Sequence, residues 1–537
     1  MDHLGPLRDP RPVRLRRPGS ALQGAPRRDR HPPLRASHHG QAACRRRRRH
    51  RPLGPEVDRP GQGQGRPGPL AFARRERQPP YHAARLYRLR RDPDQPRRHR
   101  DPGRADRPRP SPGDAAHPRD RGGEERTEGA AVVNAGTRVR GALVIGGGIA
   151  GPVAAMALRR AGIEADVYEA YDSRSDGVGA GMSIAPNGIA ALDAIGAGDV
   201  VRSVGAPVHA IVVHSWNGRQ LAEFGTPAGA QPSQFVWRPE LYASLYDEAA
   251  RRGVRIHHGK QLVGAEESDD SITAHFVDGT SATADILVGA DGIRSTTRTL
   301  IDPAAPGPTY AGLIGIGAGV KDTGLPSSGG KMHMTYGRRV FFGYQIFDDS
   351  SGGWFVNLPS PEPLSAARAA EVGAEKWLSE LSALVADDRT PAKELLARTD
   401  PAELALTGPV EAMLKVPHWS RGRMVLIGDA AHAASPSSGQ GASLAVESAV
   451  QLARCVRDLP YGPAFAAYEE LRRPRVERII AETARINNDK AAGPVGRVVR
   501  DLLMPPMMKL LKPEKRMAWQ YSYRIDWSEL VAEPASP

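Results

Sequence analysis

The chain has 537 residues, enough for two or three domains, and a formal net charge of +14. The charge is confined to one end: residues 1–130 hold 33 Arg, no Lys and 15 acidic residues, so they contribute +18 and leave −4 for the other 407. Two widely spaced cysteines exclude a disulfide framework and a zinc cluster, and no apolar stretch of a secretory signal follows the basic N-terminus. We therefore expect a cytoplasmic protein with no metal site.

The first 136 residues are expected to be disordered, because their apolar residues follow neither helical nor strand periodicity and cannot bury enough surface to offset the entropy of ordering. An arginine-rich arm that binds RNA or DNA is one interpretation. The segment has no Lys, however, and few aromatic residues that could stack on bases. The alternative is GC-rich DNA translated without selection for a fold, with the native start near Val132 or Val133. On that interpretation no nucleic-acid partner is expected.

The first motif is a glycine-rich turn between the apolar strand Ala142–Ile145 and a predicted helix. Its pattern, Gly146-x-Gly148-x-x-Gly151, permits a tight turn and lets the backbone approach a pyrophosphate at the helix N-terminus. The next strand ends at Glu169, 21 residues after Gly148, where a carboxylate can accept hydrogen bonds from an adenosine ribose. An acid at this position argues against a 2′-phosphate. The motif predicts a bound dinucleotide, either NAD or FAD.

The second motif favours FAD. A buried strand predicted at Met424–Ile427 leads to Asp429, and a helix is expected to start near Gly439. Asp429 can accept hydrogen bonds from a ribityl chain, which FAD has and NAD lacks. The turn through Gly439 and Gly441 would direct backbone amides and a positive helix end at the N1–C2=O edge of the flavin, where the reduced ring carries negative charge.

Two further elements are compatible with the same ligand. A predicted buried strand runs into Asp291 and Gly292, and Ser295 and Arg298 follow at a helix start. Arg238 stands at the head of another predicted helix, which suits a cofactor phosphate or ribityl group. A surface salt bridge explains Arg238 equally well.

These four elements and their spacing, together with the segment at 178–196, resemble the class A single-component flavoprotein monooxygenases, the family of para-hydroxybenzoate and salicylate hydroxylases. The resemblance covers roughly residues 140–485. It implies an α/β fold in which a Rossmann-like FAD-binding domain carries an inserted antiparallel β-sheet substrate domain and a helical C-terminus. The expected boundaries are FAD-binding segments at 137–204, 226–304 and 416–490, sheet segments at 205–225 and 305–415, and a C-terminal helical cap at 491–537.

The resemblance also implies roles for single residues. Asp291 and Gly292 would serve both FAD and a transient NADPH or NADH, and Pro436 would lie beside the isoalloxazine where O₂ reacts. One departure is Ser448, which replaces an acid that relatives often carry. No catalytic acid or base is predicted. The residues expected to bind the cofactor are Gly146, Gly148, Gly151, Glu169, Arg238, Asp291, Gly292, Asp429, Pro436, Gly439 and Gly441.

The sequence gives less specific signals for the residues that bind substrate. Strand-like stretches joined by turns such as Asn217-Gly218 predict hairpins. His432 is expected to have a structural role beside the cofactor loop. Some aromatic residues and histidines could touch substrate, and packing in the core is the alternative for each: His214, Trp216, His333, Tyr336, Tyr344 and Trp354. Beyond Ala492 a packed helix pair is expected, and contact with a membrane surface through Lys509, Lys512 and Lys515 is the alternative.

The implied activity is FAD-dependent, NAD(P)H-consuming hydroxylation or epoxidation of a small, largely apolar aromatic or unsaturated substrate. NAD(P)H reduces the flavin, O₂ adds at C4a, and the C4a-hydroperoxyflavin delivers an oxygen atom. Alternatives on the same scaffold are a Baeyer–Villiger-type oxidation and the reduction of prenyl chains. A different class, an arginine-rich nucleic-acid-binding protein on a relic FAD fold, predicts salt-dependent DNA binding. A membrane partner is not expected.

Overall fold

The computed structural model describes residues 138–173, 181–227, 229–490, 493–511 and 513–533. The segment predicted to be disordered, 1–136, lies outside these residues, as do the side chains of Lys509, Lys512 and Lys515. The described strands, in chain order, are β1 (Gly141–Ile145), β2 (Glu164–Tyr168), β3 (Gly181–Ile184), β4 (Ala206–Val208), β5 (Ala210–Ser215), β6 (Gln220–Gly225), β7 (Ser233–Trp237), β8 (Ile256–His257), β9 (Leu262–Glu267), β10 (Ile272–Phe276), β11 (Ser281–Ala284), β12 (Ile286–Gly289), β13 (Thr309–Val320), β14 (Lys331–Tyr336), β15 (Phe341–Ile346), β16 (Gly352–Pro359), β17 (Ala405–Ala412), β18 (Ser420–Arg421) and β19 (Met424–Leu426).

Helices follow or connect these strands. Two 3₁₀ turns are formed by Pro401–Glu403 and Pro436–Ser438. The described α-helices are α1 (Ala150–Arg160), α2 (Pro186–Ala194), α3 (Asp199–Arg202), α4 (Arg238–Arg251), α5 (Thr296–Ile301), α6 (Ala366–Val372), α7 (Ala374–Leu384), α8 (Ala392–Ala397), α9 (Asp429–His432), α10 (Gly441–Asp458), α11 (Tyr461–Lys490), α12 (Pro494–Leu511) and α13 (Pro513–Tyr521).

A six-stranded sheet in the order β18-β19-β12-β1-β2-β8 forms the core of the nucleotide-binding half. All its neighbouring pairs are parallel except the edge pair β18–β19. The sequences of β12 and β19 are continuous apolar runs and every residue in them is buried, as expected for parallel strands covered on both faces. Because parallel strands end at one edge, the turns after β1, β12 and β19 meet there.

A seven-stranded sheet in the order β17-β13-β16-β15-β14-β5-β6 forms the other half. Its strands are antiparallel except for β5 and β14, which pair in parallel. The predicted hairpin at Asn217 and Gly218 joins β5 to β6, and Gly218 adopts a positive φ of 83° there. One face of this sheet packs on α7 and α8 around a separate apolar cluster that includes Trp354, Phe342 and Leu381. The opposite face of the sheet helps to form the candidate active site described below.

Two smaller antiparallel sheets complete the fold. Strands β9 to β11 form one, in the order β11-β10-β9, and β3, β7 and β4 form the other. In the second sheet β7 leads directly into α4, so Arg238 is placed at the start of that helix as the sequence predicted.

The C-terminal region is helical, as expected. Helix α12 lies against β6, and its Met504 and Met508 pack on an apolar cluster of the large sheet that contains Val213 and Phe341. The two prolines inside α12, Pro505 and Pro506, do not end the helix. Within the part of the chain that the structure describes, no helix has both the length and the apolar character needed to cross a membrane.

Candidate active site

The glycine-rich turn after β1 combines close packing with open space. Gly146 has a φ of 104°, and a Cβ there would lie 2.5 Å from the carbonyl oxygen of Ala290. A Cβ on Gly151 would overlap the carbonyl oxygen of Gly146. At Gly148 a Cβ would meet no atom within 4 Å, and no side chain caps the N-terminus of α1. The turn therefore packs tightly on its inner side and leaves bare backbone and helix amides facing outward.

Glu169 lies directly after β2, beside this turn. Its side chain is 9% exposed, and its Oε2 accepts a hydrogen bond of 2.5 Å from the amide of Gly147. Its Oε1 accepts a second bond of 2.9 Å from the amide of Tyr171. Tyr246 of α4 donates to the carbonyl oxygen of Gly147 at 2.8 Å. The predicted ribose acid is thus fixed in position by the turn that precedes it.

Asp429 follows β19 at the same edge of the sheet. The Asp429 side chain is accessible to solvent, yet protein atoms surround it densely enough for burial to raise the pKa of its carboxyl, and the positive charge of Arg238 opposes that rise. Both observations describe a group on the wall of a deep cleft. Burial also raises the pKa of the Tyr242 hydroxyl. The negative charges of Asp429 and Glu169 raise this pKa further, and the positive charge of Arg238 lowers it. Arg238, Asp429 and Glu169 are therefore within electrostatic reach of one tyrosine, although 191 positions separate Arg238 from Asp429.

The loop after α9 brings further bare backbone to this cleft. Pro436 begins a 3₁₀ turn that Gly439 ends with a left-handed φ of 63°. Helix α10 therefore starts at Gly441, two residues later than the sequence predicted, because Gly439 cannot take part in a right-handed helix at this φ. No atom lies within 4 Å of a Cβ built on Gly439, and no side chain caps α10. An 18-residue helix thus directs uncapped amides outward.

Asp291 and Gly292 follow β12, between the two motifs. Asp291 accepts hydrogen bonds from the Ser295 hydroxyl at 2.6 Å and from the Thr297 amide at 2.9 Å, so its carboxylate organises the start of α5. Arg298 is buried and donates to the carbonyl oxygens of Ala430 and Ile293. Gly292 has a φ of 75° and open space around its Cα. In this motif Gly292 is the member that leaves room for a ligand.

The large sheet divides the aromatic candidates between its two faces. His333, Tyr344 and Trp354 are cross-strand partners, so they share one face. Trp354 belongs to the cluster under α7 and α8, and its indole donates to Thr399 at 2.9 Å. His214 joins this face through a 3.1 Å contact with His333, whose pKa falls to about 4 because of burial and the neighbouring charges. His214, His333, Tyr344 and Trp354 therefore match the alternative in which these residues pack within the protein and do not touch substrate.

The opposite face is the one that meets the nucleotide-binding half. Tyr336 lies on it with its cross-strand partner Phe341 and with Asn357, the partner of Phe341. Lys490 links this face to the loop at 433–440 between α9 and α10, which we call the flavin loop, because its Nζ donates to Asn357 at 2.7 Å and to Ser437 at 2.9 Å. Trp216 lies beyond the end of β5, where Arg338 stacks on it at 4.6 Å.

Sequence reasoning missed the aromatic wall next to this face. Phe235 and Trp237 of β7 contact each other edge-on at 5.0 Å, and Phe347 lies 5.4 Å from Phe235. The facing sheet position is Gly353, where a Cβ would approach Trp237 to 2.9 Å. Glycine at this position is the available sequence signal, because a strand interior with no side chain marks a close approach of another group.

A buried ion cluster under α10 was also missed. Glu447 is fully buried and pairs with Arg472 at 2.6 Å and Arg475 at 2.9 Å. Asn187 of α2 donates to the same carboxylate at 2.7 Å. Ser448, at the position where the family resemblance led us to expect an acid, contacts His432 at 2.8 Å through its hydroxyl. Burial and the charge of Arg472 lower the pKa of His432 to about 3, so this histidine is neutral at pH 7 and has the structural surroundings that were expected.

The cleft fits FAD chemically. Two uncapped helix N-termini can receive the pyrophosphate and the flavin ring, while Glu169 and Asp429 present carboxylate oxygens that can accept hydrogen bonds from hydroxyl groups. Gly148 and Gly439 leave the space that an extended ligand against the backbone requires.

Known proteins share this arrangement. The family model described as the FAD binding domain matches residues 140–343 and 396–483. The FAD-dependent urate hydroxylase of Klebsiella pneumoniae is 32% identical over 354 residues, which are 63% of this chain and 87% of the enzyme. The 3-amino-4-hydroxybenzoate 2-monooxygenase PtmB3 of Streptomyces platensis is 34% identical over 404 residues, 71% of this chain and 95% of that one. The crystal structure of Klebsiella pneumoniae HpxO complexed with FAD and uric acid has a TM-score of 0.63 and 25% identity, with 71% and 97% of the two chains covered.

The chain belongs to the FAD-binding family of class A flavoprotein monooxygenases. It is an FAD-dependent monooxygenase that uses NAD(P)H as a transient reductant. The predicted α/β fold, cofactor and enzyme class are confirmed.

Proposed function

We propose that this enzyme hydroxylates a small aromatic molecule held between the aromatic wall and the flavin-facing side of the large sheet. The observation that carries the proposal is that Asp429, Arg238 and Glu169 all lie within electrostatic reach of Tyr242, at the edge of the sheet where two uncapped helices begin. The aromatic wall of Phe235 and Trp237 next to this cleft suits a flat apolar ligand. The names of relatives that act on urate and aminohydroxybenzoate support an aromatic substrate.

We propose specific cofactor contacts, which the geometry supports. Gly146, Gly148 and Gly151 shape the turn that receives the pyrophosphate at the start of α1, and Glu169 holds the adenosine ribose. Asp429 accepts hydrogen bonds from the ribityl chain. Arg238, Asp291 and Gly292 would also contact the cofactor, and Gly292 is the member of its motif with open space beside it.

At the ring end, Pro436 would lie beside the isoalloxazine, where O₂ reacts. The amides from Gly439 to Gly441, at the uncapped start of α10, would stabilise negative charge on the N1–C2=O edge of the ring by about 1 kcal/mol. When bound, FAD supplies the redox chemistry: it accepts a hydride from NAD(P)H and activates O₂ for transfer of one oxygen atom. The protein orients the substrate and excludes water.

We propose a division of the chain that matches these roles. Segments 137–204, 226–304 and 416–490 bind FAD, segments 205–225 and 305–415 hold the substrate, and residues 491–537 cap the site. Strands β5, β6 and β13 to β17 of the large sheet fall within the substrate segments, while β4 pairs with β7 instead. The proposed co-substrate is O₂, and no nucleic-acid partner is part of the proposal.

Replacement of Asp429 by Ala tests the cofactor assignment. We expect Asp429→Ala to fold with an unchanged circular dichroism spectrum and to lose most of its FAD on gel filtration, because the ribityl hydroxyls lose their acceptor. Asp199→Ala, at a carboxylate that is 97% exposed on α3, is the matched control and should keep its FAD. Stoichiometric FAD in Asp429→Ala would refute the assignment.

A further inference from the structure

Lys490 ends α11 at the boundary between the flavin loop and the substrate-facing sheet. Its Nζ donates hydrogen bonds to Asn357 of β16 and to Ser437 of the flavin loop, and it lies 4.1 Å from the centre of the Phe341 ring. Ser437 is adjacent to Pro436, the residue that we place beside the flavin. The amine thus contacts β15, β16 and the loop that contains Ser437.

A small cavity of about 50 Å³ adjoins this amine. Its lining includes Lys490, Tyr336, Arg338 and Arg339, together with Arg497 and Arg500 of α12. The volume is too small for an aromatic ring but accommodates a hydroxyl or oxyanion substituent together with water. Of the described residues that line it, none is a carboxylate. The cavity therefore favours negative charge.

The neighbouring charged groups are partly neutralised outside the cavity. Arg500 pairs with Asp501 at 2.9 Å, and Arg338 and Arg339 both approach Asp387. Among the groups that contact Lys490 from β16, the flavin loop and β15, none is charged: they are Asn357, Ser437 and Phe341. No carboxylate among the described contacts therefore stabilises the ammonium, and its desolvation lowers the pKa of Lys490 to about 7.

The hydrogen-bond pattern is compatible with a neutral amine. Nζ is the donor in both of its bonds, and a neutral amine has two N–H groups and one lone pair. Deprotonated Lys490 can therefore keep both Asn357 and Ser437 as partners while its lone pair remains available. A lysine that served only as a structural cation would gain stability from a carboxylate partner, and none is present among its described contacts.

We propose that Lys490 is the acid–base residue of this active site: it accepts the proton of a hydroxyl group on the bound aromatic substrate, and the cationic cavity beside it holds the oxyanion. The inference rests on the proposed function. In the step, the O–H bond of the substrate breaks and an N–H bond forms on Nζ, with no change in oxidation state. The resulting oxyanion makes the ring more electron-rich and thus more reactive toward an electrophilic oxygen. The proton returns to the same oxygen when the product ring regains aromaticity.

Binding of phenol to the FAD-loaded enzyme tests this role without turnover. A phenolic hydroxyl has an ordinary pKa of about 10. Free phenol therefore stays protonated between about pH 5.5 and about pH 8.5, because even the upper limit lies about 1.5 units below that pKa. Binding is read from the change in flavin absorbance. We expect the affinity of the wild-type enzyme to rise about tenfold per unit of pH up to about 7 and then to level off, because neutral Lys490 is the form that accepts the proton. Anisole, which lacks the proton, should show no such dependence.

Two variants separate a base from a fixed charge. Lys490→Met should bind phenol at least about tenfold more weakly than wild type at pH 8 and lose the pH dependence. Lys490→Arg keeps a cation that does not titrate in this range, so its affinity should rise with pH without levelling off. Lys376→Met, at an exposed lysine of α7, is the control and should match wild type.

Several outcomes would overturn the proposal. One is a wild-type affinity that is flat or falls between pH 6 and 8 (about one unit on either side of the lysine pKa), as an ammonium that only donates a hydrogen bond to the neutral hydroxyl would produce. Others are a Lys490→Met enzyme that reproduces the wild-type profile, and failure of the FAD-loaded wild-type enzyme to bind phenol. Each can occur in protein that retains its flavin and hydroxylates another aromatic compound, so failure here is distinct from failure of the proposed function.

Discussion

At the scale of single residues, Gly148 and Gly151 of the glycine-rich turn after β1 differ in why a side chain would be unfavourable at their position. Gly151 lies where a Cβ would overlap a carbonyl oxygen of the preceding turn. Gly148 has no neighbour within 4 Å of its Cβ position and needs no positive φ, so nothing within the described protein forbids a side chain there. The sequence motif treats the two alike, whereas the structure assigns packing to Gly151 and ligand space to Gly148.

Alanine substitutions at these two positions should therefore give opposite results. We expect Gly148→Ala to melt at the wild-type temperature but to bind FAD at least about tenfold more weakly, because the methyl group occupies the approach to the helix amides. Gly151→Ala should lower the free energy of unfolding by about 1–3 kcal/mol through overpacking. Thermal melting of the apoproteins and FAD titration measure the two effects. Equal loss of stability in both variants would contradict this separation.

Lys490 shows the same limit of sequence reasoning. Nothing in its local sequence distinguishes it from other lysines, and it lies at the end of a 30-residue helix. Its contacts come from positions 53 and 133 residues earlier in the chain. Only the packing of α11 against two other elements removes its water and lowers its pKa to about 7.

At the scale of elements, α10 is held by a buried charge cluster as well as by apolar contacts. Glu447 of α10 lies between Arg472 and Arg475 of α11, and Asn187 ties the same carboxylate to α2. Burial alone would raise the pKa of Glu447, but the two arginines outweigh it and hold the pKa below its usual value. The cluster fixes the helix whose N-terminus faces the proposed flavin site.

Removal of this carboxylate charge should be costly. We expect Glu447→Gln to lower the free energy of unfolding by about 3–5 kcal/mol at pH 7, because the fully buried Arg472 and the largely buried Arg475 lose their counterion. Denaturant unfolding of the apoprotein measures the effect, and Glu375→Gln, at the exposed start of α7, provides the control.

The same substitution predicts a pH dependence with a definite sign. Since the folded-state pKa of Glu447 is depressed, its contribution to stability is present above the unfolded value of about 4.5 and is lost as the pH falls through the folded-state pKa. The difference between wild type and Glu447→Gln should therefore shrink on acidification below pH 4.5, from the value measured at neutral pH. A difference that stays constant down to the pH of acid unfolding would show that the charge is not responsible.

At the scale of the whole molecule, the positive charge and the family match lie in different parts of the chain. Residues 1–130 contribute +18 and the rest −4, while the described fold begins at residue 138 and the family match at residue 140. The basic isoelectric point of about 9.9 therefore does not characterise the enzyme itself.

Truncation tests this separation. We expect a chain that starts at Ala131 to bind FAD with unchanged stoichiometry and to melt at the same temperature as the full chain, because every described residue of the proposed FAD site lies at or after β1. Retention on DNA at low salt should disappear with the +18 segment. Loss of flavin from the truncated chain would assign those residues a role in the fold.

The sequence by itself determined the cofactor, the fold class and the order of the motifs. Strand, glycine turn, helix and acid are local patterns whose geometry is set by backbone sterics and hydrogen bonding within about 30 residues. These are the features of Gly146 to Glu169 and of Asp429 to Gly441 that could be placed in advance, with the start of α10 misjudged by two residues.

Only the tertiary structure decided which side chains share a face or a cavity. In the large sheet, cross-strand registry determines whether an aromatic residue meets the flavin-facing cleft or the cluster under α7 and α8, and that registry depends on partners far along the chain. The same holds for Lys490 and for the Glu447 cluster, whose chemistry arises from desolvation by distant elements. Desolvation is a property of three-dimensional packing, so no local pattern encodes it.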